Sequence, residues 1–400
     1  MSANRISGPT PPAPQATRDY GLVLAAKTAR TFCYGYLGVL LPVYLSDLGM
    51  GAAGVGASIT FTLAGSAALT WAIRRPVERW GTRATLLGLA GLSAASALLF
   101  LAARDPWLVV LAAMLGNVAV GTGETGPFLS IEQVVVTRAT PPERRTMALS
   151  VYNLVGYAAA ALGAAALGLV RDPRLLFAVF LGAAALQAAL FARLSAARIV
   201  RPAARPGLLP ASPVIRKMAA LFSLDSFAGG FVLQSLIAYW FHERFGMDLA
   251  TLGVVFFATQ VLTALSLLAA ARLARRFGLL NTMVFSHLVS SVFLVGMAFA
   301  PSGGAAVALL LLRQLLSQMD VPTRQAFLMA IVPDHEREEA AISTTLARTV
   351  TQAVSPAVTG WVMQAVALSA PFVLGGGLKM VYDLLIYFTF RRVPLRPEGG

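Results

Sequence analysis

The 400-residue chain is 57% hydrophobic and only 12% charged, with mean hydropathy +0.71 and a formal net charge of +14. A soluble domain carries about 25% charged residues, so a water-bathed globule of this length is excluded and lipid is the expected solvent. A single cysteine, Cys33, leaves no disulfide framework and no cysteine-based metal motif.

Residues 1–19 are polar and Pro-rich, without an apolar core or cleavage site of their own, and read as a disordered cytoplasmic tail. Twelve apolar spans follow, at about 20–46, 51–73, 84–103, 107–137, 146–170, 174–197, 214–243, 249–271, 279–300, 302–332, 338–367 and 369–390. Each reaches the ~20 residues that a helix needs to cross the hydrocarbon core. With the first residue inside, 22 of the 32 Lys and Arg fall on the cytoplasmic side and four on the other. The positive-inside rule then puts both termini in the cytoplasm of a cell inner (plasma) membrane. The basic excess is thus a topology signal facing anionic headgroups, and nucleic acid is not an expected partner.

Taken in chain order, the spans carry ionisable residues that hydrocarbon does not tolerate without a reason. The first holds Arg30 and the fourth Glu124 and Glu132; the seventh holds Asp225; the tenth holds Arg313, Asp320 and Arg324. Arg348 lies in the eleventh, and Lys379 and Asp383 lie four apart in the twelfth, where they are expected to form a local pair. His287, in the ninth, reads as a packing residue. Gly121, Gly123 and Gly126 fit a dinucleotide fingerprint by letter, yet lie inside a membrane span with no preceding strand. That run, ending at Pro127, is expected to bend or loosen the fourth span, as Pro322 and Pro356 would the tenth and eleventh.

The two halves of the chain repeat. Arg30-Thr31-Phe32 with Gly35-Tyr36 aligns with Asp225-Ser226-Phe227 with Gly230-Phe231, and Glu132-Gln133 aligns with Arg324-Gln325. Gly49, Gly56 and Gly81 recur as Gly246, Gly253 and Gly278; Pro141 and Arg145 recur as Pro333 and Arg337. Two similar apolar halves with charges at matching depths are the pattern of a secondary transporter.

The segment from Arg74 to Arg83 resembles the signature between helices 2 and 3 of the major facilitator superfamily, a Gly, three residues, an Asp, then Arg-x-Gly-x-Arg/Lys. Glu78 stands at the Asp position, with Arg79, Gly81 and Arg83 matching, while Arg74 replaces the leading Gly. The resemblance implies an all-α membrane protein with twelve transmembrane helices in two pseudo-symmetric six-helix bundles. Those bundles would be residues 20–197 and 214–391, joined by a cytoplasmic linker at 198–213 and followed by a tail at 392–400. Spans 1, 4, 7 and 10 would line a central cavity, and no cofactor, metal or enzymatic activity is implied. The glycine-proline signature of the drug/proton antiporters is absent from the fifth span.

On this frame, Arg30 with Glu132 and Asp225 with Arg324 are expected to pair within their halves as a cytoplasmic gate. Glu124, Asp320 and Asp225 are the candidates to exchange a coupling proton. Arg313 and Arg348, lacking an obvious acidic neighbour in sequence, suit a carboxylate or phosphate on the substrate. Phe32, Tyr36, Phe227 and Phe231 are the aromatic candidates for its path. The expected protein is a monomeric, proton-coupled secondary transporter that moves a small organic solute by alternating access, leaning to efflux. The alternatives are a non-transporting receptor or scaffold of the same fold, or an uptake symporter for an organic anion.

Overall fold

The computed structural model describes residues 13–121, 126–141, 144–170, 172–195, 212–333 and 336–393, and every regular element among them is helical. The first half holds α1 (Ala13–Asp47), α2 (Ala52–Ala72), α3 (Arg74–Ala102), α4 (Pro106–Leu115), α5 (Pro127–Ala139), α6 (Arg145–Ala166) and α7 (Pro173–Phe191). The second holds α8 (Pro213–Gly230), α9 (Gln234–Phe245), α10 (Leu249–Phe277), α11 (Leu279–Ala298), α12 (Gly303–Ser317), α13 (Asp320–Ile331), α14 (Arg337–Ala365) and α15 (Ala370–Phe390). Nine segments among the described residues are long and apolar enough to cross a membrane. Most of the expected 198–213 linker and the 392–400 tail lie outside the described residues.

Three expected spans are each built from two helices. The fourth is α4 and α5: Asn117 and Gly126 take positive φ of 50° and 108°, and Pro127 opens α5. The seventh breaks at 231–233, after the poor helix formers Gly229 and Gly230. The tenth breaks before α13, where Pro322 has no N–H to give and Val321 bonds back to Gln318 by a long 3.4 Å turn contact. Pro356, by contrast, sits inside a continuous α14.

The chain divides into two compact units. One comprises Met1–Gly49, Phe61–Ala204 and Leu249–Phe257, the other Met50–Thr60, Arg205–Asp248 and Ala258–Gly400. In the first, Leu86, Phe128, Ile131, Tyr152 and Phe191 centre an apolar core. In the second, Met218, Phe222, Met283, Phe327 and Ile386 do the same.

The internal repeat is legible in the backbone. Gly81 and Gly278 share a φ of 84°, each between one helical segment and the next long helix, where a Cβ is unfavourable. Arg145 donates its Nε to the Thr137 carbonyl at 3.0 Å, and Arg337 donates its own to the Met329 carbonyl at 3.1 Å. Both bonds tie a helix start to the end of the preceding helix through a basic side chain.

Candidate functional site: two buried charge clusters

Within the first unit, α1 brings Arg30 against Glu132 of α5. The guanidinium makes a bidentate pair, Nη1 to Oε1 at 2.8 Å and Nη2 to Oε2 at 2.7 Å, and both side chains have no exposed surface. Tyr152 of α6 donates its hydroxyl to Oε2 at 2.7 Å, and Gln187 of α7 accepts from Arg30 at 3.3 Å. Arg30 also stacks over the Phe128 ring at 4.3 Å, while Lys27, one turn earlier on α1, lies 3.8 Å from the Tyr152 centroid. The fork geometry satisfies both carboxylate oxygens, which is what allows so buried a pair to persist.

The corresponding place in the second unit has opposite signs and more members. Arg324 of α13 donates to Asp225 of α8 at 2.7 Å and to Asp320, one turn earlier on its own helix, at 2.7 Å. The other oxygen of Asp225 accepts from Lys379 of α15 at 2.9 Å. Lys379 in turn lies 3.2 Å from Nε2 of His287 on α11. His287 Nδ1 contacts both oxygens of Asp383, at 2.9 and 3.0 Å. A continuous line of six groups therefore runs Asp320–Arg324–Asp225–Lys379–His287–Asp383, all buried. Arg348 of α14 donates to Ser226, the neighbour of Asp225, at 2.9 Å.

A lysine ammonium has donors only, so its approach to Nε2 fixes that nitrogen as the acceptor and puts the ring proton on Nδ1 or on Asp383. Three aspartates then face two fully charged partners within the line, and the imidazole of His287 sits between Lys379 and Asp383.

A second feature of this unit is a group of polar atoms without partners. Arg313 of α12 is 8% exposed; its Nη1 donates to Gln314 at 3.1 Å, and its Nε has no acceptor. Gln314 holds Thr263 of α10 at 2.5 Å. One turn to either side of Thr263, the buried Gln260 Oε1 and Ser266 Oγ are also unsatisfied. Buried polar atoms are nearly always bonded, so these three atoms set this part of the unit apart.

This chain matches the Major Facilitator Superfamily over residues 23–316 and again over 219–399. The protein belongs to that family. It is 23% identical to the uncharacterized membrane protein YJR124C of Saccharomyces cerevisiae, over 94% of each chain. Its fold is similar to that of the nucleoside transporter NupG, at 13% identity and TM-score 0.72 over 92% of this chain and 99% of that one. It is likewise similar to a D-xylose-proton symporter, at 14% identity and TM-score 0.64 over 94% and 98%. The family makes the chain a membrane transporter with twelve spans in two bundles, and not an enzyme.

The remaining candidates fall at varied places on the superfamily fold. Glu78, Arg79 and Arg83 of the signature are exposed and make no ion pair among the described residues, whereas Gly81 is the buried turn itself. Tyr36 is fully buried and spends its hydroxyl on the Leu176 carbonyl at 2.8 Å, with Phe32 packed edge-on at 5.9 Å. Phe227 and Phe231 form a similar edge-on pair at 5.4 Å. Glu124 lies outside the described residues.

Sequence reasoning passed over His287 and misplaced Lys379 and Asp383. The two do not form the expected local pair: Lys379 reaches Asp225, and Asp383 takes the imidazole. Tyr152 and Gln187 had no signal, because a hydroxyl or an amide in an apolar span is ordinary until its partner is known.

Proposed function

We propose that this transporter exchanges a proton for a small organic solute, exporting the solute across the plasma membrane by alternating access. The observation that carries the proton is the Lys379–His287–Asp383 arrangement beside Asp225. A proton arriving on Nε2 makes the imidazole a donor at both nitrogens, so Lys379 can no longer point at it. The new Nε2–H then faces Asp225 Oδ1, now 3.7 Å away. Proton uptake thus replaces Lys379 by His287 as a partner of Asp225, and Asp225 shares Arg324 with Asp320. Asp320 and Asp225 stay in the coupling group, with His287 as the entry point. Arg30–Glu132 and Asp225–Arg324 act as gate pairs whose partners change through the cycle.

The unsatisfied Arg313, with Gln260 and Ser266, supports recognition of an acidic or strongly hydrogen-bonding group on the solute. That feature also favours a second reading, in which an organic anion is taken up together with the proton. A thermal-shift screen of nucleosides, sugars, organic anions and cationic drugs, at acidic and neutral pH, finds the ligand by its stabilisation of the folded state. The hit is then assayed for transport in proteoliposomes loaded with a pH-sensitive dye. Solute moving against an imposed pH gradient in opposition to protons supports export; co-movement supports uptake. Solute movement with no proton flux sinks both couplings.

A further inference from the structure

The end of α10 and the start of α11 form a hairpin about Gly278, and a cavity of about 410 Å³ opens beside it. Leu273 and Phe277 on α10, Phe285 and Val289 on α11 and Leu316 on α12 wall it. Asn281, Thr282, Phe285, Ser286 and Val289 recur at the spacing of one helical face, so the groove runs about 12 Å along α11 away from the hairpin. Phe277, Phe285 and Val289 are 54%, 50% and 44% exposed, so the groove opens outward from the unit.

Its hairpin end is built differently. Helix α11 starts at Leu279 with no side-chain cap, leaving its first amides and its positive dipole end directed there. Thr282, 4% exposed, lines the cavity, and its hydroxyl is buried behind it without a partner. The guanidinium of Arg276 rests over the Phe277 ring at 5.4 Å, at the mouth of the groove. Arg272 and Arg275 lie on the same last turns of α10, no Asp or Glu occurs between Asp248 and Asp320, and none of the three arginines is in an ion pair among the described residues.

We propose that this groove is a binding site for an anionic phospholipid. The phosphate lies at the α11 N-terminus beside Arg276, and one acyl chain follows Phe285 and Val289 towards Leu316. An apolar trough that ends in uncapped amides and unneutralised arginines matches an amphiphile with a negative head. It does not match a zwitterion, whose cation would meet the same arginines.

The test is native mass spectrometry of the purified full chain, titrated with phosphatidylglycerol and with phosphatidylcholine of identical acyl chains. The wild type is expected to retain phosphatidylglycerol several-fold better. Arg276→Gln is expected to bring that lipid down to the phosphatidylcholine level. Val289→Trp, which fills the trough and leaves every charge in place, is expected to lower retention of both. Melting curves in the same detergent verify that both variants are folded. Equal retention of the two lipids by the wild type overturns the proposal, as does a preference that survives Arg276→Gln. Full phosphatidylglycerol retention in Val289→Trp shows attraction by surface charge alone and overturns it too. So does displacement of the lipid by inorganic phosphate at matched concentration, which would mean that the chain contributes nothing.

Discussion

The two halves solve the same problem, a charge buried at the same register, with opposite signs and unequal complexity. In the first unit Arg30 and Glu132 close on each other, with Tyr152, Gln187 and Phe128 against them and Lys27 over the Tyr152 ring. In the second, Asp225 and Arg324 are the middle of a line that continues through Asp320 at one end and Lys379, His287 and Asp383 at the other. A closed bidentate pair has one good arrangement. An extended line offers more than one choice of which donor faces which acceptor, since Asp225 lies between Arg324 and Lys379 and His287 between Lys379 and Asp383. The first cluster is therefore a closed pair, and the second an open chain to which the proposed proton coupling is assigned.

The largest expected effect comes from stranding charges. Arg324→Gln leaves Asp225 and Asp320 without their shared partner and should cost about 3–5 kcal/mol, the range for breaking a buried pair. Arg30→Gln should cost nearer 3 kcal/mol, because Tyr152 still donates to Glu132. Denaturant melts in detergent measure both; a larger loss for Arg30→Gln would reverse the comparison.

Reversing the pairs sharpens it. Arg30→Glu combined with Glu132→Arg should recover most of the stability lost in either single change, since both carboxylate oxygens of Glu132 are held within the one bidentate pair. Asp225→Arg with Arg324→Asp should recover little, because Lys379 and Asp320 would then each face a like charge. Similar recovery in the two units would mean that the line in the second is only a collection of independent pairs.

A smaller effect is expected from removing the imidazole through which the proposed proton enters. His287→Gln should fold and leave thermal stability less dependent on pH than in the wild type, while Gln187→Leu, in the first cluster, should leave that dependence unchanged. A scan of melting temperature against pH for the three proteins decides this. An unaltered profile in His287→Gln would remove the imidazole from the coupling mechanism.

The smallest effects test the repeat itself. Gly81→Ala and Gly278→Ala each force a Cβ into a φ of 84° and should each cost roughly 1 kcal/mol. Unequal losses would show that the two turns are alike in sequence but not in strain.

Much of this was legible in the residues. Lys and Arg placement, span length and hydropathy are properties of segments, and they yield the membrane solvent and the number of crossings without reference to contacts. The repeat and the Glu78–Arg83 signature pointed to the superfamily fold, and the alignment of Arg30 with Asp225 and of Glu132 with Arg324 exposed both clusters. The helix breaks were partly visible: the glycines before Pro127 foretold the gap between α4 and α5. The Gly229-Gly230 break drew no notice, because paired glycines inside a membrane span also serve close packing. Gly230 does both, since a Cβ there would collide with Ser355 of α14.

By itself, then, the sequence determined the solvent, the span count, the duplicated architecture and the identity of the buried charges, because each depends on composition and spacing along one strand of chain. Only the tertiary structure decided who partners whom. Lys379 and Asp383 share a helix face four residues apart, and pattern alone makes them a pair. Packing α15 against α8 and α11 instead brings Asp225 and His287 within reach, and a charge in low dielectric is claimed by the partner that geometry brings closest.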